Sequence, residues 1–144
     1  YDALPYDFRG EEPPGGLPYY LVPVFTEWEG RLFVRCIPPY IWASQRHPEA
    51  PRLSPIQREA LQAVVELADD PDHHVLMDLQ PGDMQFINNY HVLHGRTAYE
   101  DDRSAGKVRH LKRLWLETTV LTSRPPVFAN RSTHWSAKRS VSRL

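Results

Sequence analysis

From Leu79 to Leu116 the chain reads LQPGDMQFINNYHVLHGRTAYEDDRSAGKVRHLKRLWL. Pro81 and Gly82 mark a tight turn over Gln80 to Asp83, Met84 to Asn89 reads as a strand, and a loop carrying His94 follows. Arg109 to Val120 reads as a long strand whose alternation puts Arg109, Leu111, Arg113 and Trp115 on one face. Arginine on an inward face is costly unless an anion or a carboxylate pairs with it, so Arg109 beside Leu111 and Trp115 suggests an anionic ligand. Asp83 is an alternative partner for Arg109. A one-residue shift in register would instead turn Arg113 to solvent, and a lone histidine after a strand is more often structural than a ligand.

Upstream, residues 1–18 have the Pro, Gly and acidic composition of a loop or edge. Tyr19 to Phe25 and Arg31 to Ile37 read as a hairpin joined through Glu29 and Gly30, with Pro23 at an edge or bulge. Pro38 and Pro39 read as a crossing. The helix expected next starts with Ser54 as N-cap, Pro55 in the first helical position and Gln57 closing a capping box. Ile56, Ala60, Leu61, Val64, Val65 and Ala68 mark its apolar face, and Asp69, Asp70 and Pro71 end it. His73 to Leu79 alternates as a further strand. Residues 122–144 form a polar, basic tail.

A chain of 144 residues is expected to form one domain, residues 1–144. Short strands, one amphipathic helix and frequent turn residues predict a mainly β fold, a jelly roll or barrel with the helix outside. Seventeen Lys and Arg against 18 Asp and Glu leave no field that would favour nucleic acid or an anionic membrane surface. No apolar run suits a membrane span, and Tyr1 to Gly10 lacks signal-peptide features, so a cytoplasmic protein is expected. Cys36 is the only cysteine, which leaves His and carboxylate as metal ligands.

Leu79 to Tyr99, with its Pro-Gly-Asp turn, Asn88-Asn89 pair and Val92-Leu93-His94-Gly95-Arg96 run, resembles the distal-histidine region of the taurine dioxygenase-like oxygenases. Arg109 to Leu116 resembles that family's co-substrate strand. The resemblance implies a double-stranded β-helix and an Fe(II)- and 2-oxoglutarate-dependent dioxygenase. Such an enzyme hydroxylates a small-molecule substrate with dioxygen and decarboxylates 2-oxoglutarate to succinate.

It further implies His94 as a metal ligand, Arg109 as the fork on the keto acid and Arg113 facing substrate or co-substrate. Asn88 is a weaker substrate-contact candidate, since it equally serves turn backbone groups. Two imidazoles and one carboxylate hold such an iron. In the family the first pair, His-x-Asp or His-x-Glu, lies far upstream, so it is expected before Tyr1. His47-Pro48-Glu49 has that spacing but sits in a connecting region, and Arg103 is an alternative keto-acid ligand.

The chain thus reads as the C-terminal part of the enzyme, an incomplete jelly roll inactive alone, associating with its missing N-terminal half or as a homo-oligomer. The rivals are a non-catalytic jelly-roll module and, further off, a metallohydrolase using His91 or His110.

Overall fold

The computed structural model describes residues 1–106, 108–114, 116 and 123–129. They fall into two compact units, Tyr1–Leu93 and His94–Leu144.

In the first unit, β1 (Ala3–Asp7) pairs antiparallel with β2 (Tyr19–Pro23), and β3 (Phe25–Trp28) with β4 (Arg31–Val34). The segment expected to be loop or edge therefore contains a strand of a two-stranded sheet. Its prolines hid it, yet Pro5 opposite Leu21 is tolerated because each strand has a free side in a two-stranded sheet. Tyr6 faces Tyr20 across the ladder with ring centroids 5.4 Å apart, an aromatic cross-strand pair.

The hairpin is shorter than the expected one and begins at Phe25, because Tyr19–Pro23 pairs with β1 instead. Its two-residue turn is Glu29-Gly30, with φ of 50° and 69°. Both positive values belong to the type I′ turn that matches strand twist, which explains the glycine.

Pro38–Ser44 forms α1, a second helix where a crossing was expected. Pro38 and Pro39 occupy its first turn, whose N–H groups have no intrahelical partner in any case, so they start the helix rather than break it. α1 packs on β1, burying Ile41 and Ser44 completely. Gln45 caps its end, and the Gln45 side chain then accepts from Leu53 N at 3.0 Å and donates to Pro51 O at 3.1 Å.

α2 (Pro55–Asp69) starts with the expected capping box, Ser54 Oγ accepting from Gln57 N at 3.2 Å and Gln57 Oε1 from Ser54 N at 2.9 Å. Of its apolar face Leu61 is buried, Val64 and Val65 are half-buried, and Ile56 is exposed. The core of this unit is Leu4, Tyr6, Val22, Val24, Phe33, Val34, Ile41, Ala50, Leu53 and Leu61. At roughly 1.5–3 kcal/mol for each large apolar side chain, it is the main source of stability.

The other expected strands differ. Pro71–His73 is a 3-10 turn, and residues 74–79, 84–89 and 109–114 carry no ladder among the described residues. A strand exists only through a partner, and none of the described segments lies alongside to pair with these. Met84 and Phe86 are accordingly 82% and 77% exposed. Trp115 and the end of the expected last strand lie outside the described residues. In the expected polar tail, Pro126–Ala129 is a helical turn, α3, with Phe128 buried. Among the described residues the structure shows two strand pairs, three α-helices and one 3-10 turn, so the expected double-stranded β-helix is not directly seen in them. No helix among them is long and apolar enough to cross a membrane.

Candidate functional site

The approach to His94 is built from local hydrogen bonds. Asp83 N donates to Gln80 O at 3.0 Å and Gln80 N to Asp83 Oδ2 at 2.8 Å, closing the turn that Gly82 permits with its φ of 101°. Asp83 is thereby engaged in its own turn. Asn88 Oδ1 accepts from Tyr90 N at 3.1 Å, and its carbonyl accepts from His91 N at 3.0 Å and Val92 N at 3.2 Å. Val34 N then donates to Tyr90 O at 2.7 Å, tying this segment to β4. His91 Nδ1 lies 2.8 Å from Leu32 O, and its ring packs 4.6 Å from that of Phe33. A carbonyl only accepts, so Nδ1 carries the proton and His91 anchors the hairpin.

The second unit opens at His94 and holds the other candidates. Arg96 Cζ lies 4.6 Å and Arg109 Cζ 5.2 Å from the ring centroid of Tyr99. Both are cation–π distances. Asp101 Oδ1 accepts from Arg109 N at 3.0 Å, closing the intervening loop at its base. Asp102 organises the loop's tip, accepting from Ser104 Oγ at 2.6 Å and Ala105 N at 3.1 Å. The Ser104 hydroxyl, aided by the Ala105 N–H, holds the Asp102 carboxyl below its ordinary range. No carboxylate among the described residues lies within ion-pair distance of the Arg109 guanidinium. Arg103, Arg113 and His110 are exposed.

The structure therefore brings Arg109 together with Arg96 on one tyrosine, a relationship that the sequence alone did not reveal. The arginine three residues before Tyr99 was the available signal. Without a folded loop, nothing marked Arg109, ten residues after that ring, as its second neighbour.

Metal ligation is not completed. Among the described residues no three His, Cys, Asp or Glu side chains are placed to hold a metal ion. His47 Nε2 instead lies 3.3 Å from Asp7 Oδ2, and Glu49 is exposed. His73, His74 and His91 border an open pocket of about 430 Å³, yet each ring nitrogen near a protein group has its own partner: Asp70, Ala68 O and Leu32 O. One imidazole, that of His94, does not amount to the two-histidine, one-carboxylate set that a non-haem iron requires, so the described residues do not fit that ion by themselves.

Residues 9–115 match the family described as "Taurine catabolism dioxygenase TauD, TfdA family". The chain is 36% identical over 122 residues to FR-33289 synthase of Streptomyces rubellomurinus, covering 81% of this chain and 35% of that protein. It is 31% identical over 101 residues to taurine hydroxylase-like protein SAT17 of Stachybotrys chartarum, covering 67% of this chain and 26% of that protein. The chain thus spans about a third or less of the length of these curated relatives.

Proposed function

Because this chain belongs to the taurine catabolism dioxygenase TauD, TfdA family, we propose that it forms part of an Fe(II)- and 2-oxoglutarate-dependent dioxygenase that hydroxylates a small molecule. The observation that carries this reading is Arg109, a guanidinium held against Tyr99, without a carboxylate partner among the described residues, in the same unit as the His94-Gly95-Arg96 motif. A permanently charged fork is the group that grips a carboxylate through two parallel hydrogen bonds.

In this reading Arg109 binds the far carboxylate of 2-oxoglutarate and fixes its direction, and Arg113 meets the substrate or the same carboxylate. His94 supplies one imidazole donor. The other ligands come from sequence outside this chain, as do strands that cover Met84 and Phe86. The 144-residue chain alone is accordingly inactive. The printed name of one relative, taurine hydroxylase-like protein, supports hydroxylation of a small molecule.

The test is succinate release by the full-length protein with Fe(II), dioxygen and 2-oxoglutarate, across a panel of small anionic and zwitterionic compounds. Succinate formed in proportion to one hydroxylated compound is expected. No succinate with any compound, from protein that also takes up no iron, would favour a non-catalytic jelly-roll module.

A further inference from the structure

We propose that Tyr99 is a positioning residue whose ring sets Arg109 and Arg96 as a paired clamp for one carboxylate; this rests on the assignment of Arg109 to 2-oxoglutarate. Two guanidinium groups at 4.6 and 5.2 Å from one ring centroid have their Cζ atoms no more than about 10 Å apart, near enough for like charges to repel at ordinary ionic strength. The ring face attracts each of them, and an anion between them would remove the repulsion. Tyr99 is 46% exposed, so its ring is open to solvent rather than buried as a core side chain.

The loop does not need that ring in order to close. Asp101 Oδ1 holds Arg109 N, and Asp102 holds Ser104 and Ala105. These carboxylate contacts thus bring Arg109 back beside Tyr99, while the ring orients the flexible guanidinium at its end. A side chain that spends more of its time in the binding orientation lowers the apparent dissociation constant in proportion.

Equilibrium dialysis of 2-oxoglutarate against the full-length protein, without turnover, tests this. Tyr99→Leu removes the aromatic face and is expected to weaken binding roughly three- to tenfold. Tyr99→Phe keeps the face and is expected to restore affinity to within about twofold. Arg96→Gln is expected to weaken binding similarly, and to add little in the Tyr99→Leu background because both act through one contact. If Arg109→Gln abolishes binding while Tyr99→Leu leaves it unchanged, or if Tyr99→Phe is as weak as Tyr99→Leu, the positioning role is overturned and the oxygenase assignment stands. If the wild-type protein does not bind 2-oxoglutarate, or Arg109→Gln binds it equally well, both are overturned.

Discussion

The backbone N–H of Val34 donates to the carbonyl of Tyr90 across 2.7 Å, so the last strand of the hairpin grips the chain four residues before His94. Phe33, 4% exposed, reinforces that grip through the Tyr90 and His91 rings at 6.4 and 4.6 Å. The hairpin thus holds Tyr90 and His91 in place, although it contributes none of the candidate site residues.

Phe33→Ala is expected to destabilise the chain by about 3 kcal/mol, the usual cost of emptying a buried aromatic site. Thermal unfolding followed by circular dichroism measures it. A loss below about 1 kcal/mol would show that Tyr90 and His91 are held in some other way.

Asp7, 1% exposed, accepts from Arg9 N at 2.6 Å and lies 3.1 Å from Arg46 Nε and 3.3 Å from His47 Nε2. It fastens the end of β1 to the turn after α1. Because Arg46 is largely exposed and regains water, Asp7→Ala is expected to cost about 2 kcal/mol rather than the full penalty of a buried pair. Asp7→Asn keeps an acceptor for Arg9 N and should cost less. Urea denaturation of both variants checks the order, and an equal or reversed ranking would contradict it.

Burial pushes the Cys36 thiol above its ordinary value. The thiolate is the reactive form, so alkylation by iodoacetamide near pH ~8 should be slower in the folded chain than in urea. The folded state holds this proton more tightly. Its contribution to stability is therefore complete below the ordinary thiol range and is lost as pH rises through the raised value. Equal alkylation rates with and without urea would contradict the burial assigned to Cys36.

What could be read from sequence was mostly local. Ser54, Pro55 and Gln57 predict their capping box because all its atoms lie within one turn, and Glu29-Gly30 predicts its turn for the same reason. β1 was hidden because Pro5 argues against a strand unless the strand has a free side, which only the pairing with β2 reveals. α1 was hidden because a proline pair signals a helix start as readily as a break. Apolar alternation at Met84 and Phe86 marks a surface that seeks a partner without supplying one. The motif marks Arg109 as a candidate, whereas its approach to Tyr99 depends on the Asp101 closure across eight residues.

In the proposed function His94 holds iron in the full-length protein. Iron bound per chain, measured after anaerobic loading and dialysis of the wild-type protein and His94→Ala, addresses it directly. About one iron per wild-type chain and close to none in the variant is the expected result, since removing one of three protein donors leaves too few to retain the ion. Equal iron in both proteins would contradict the assignment.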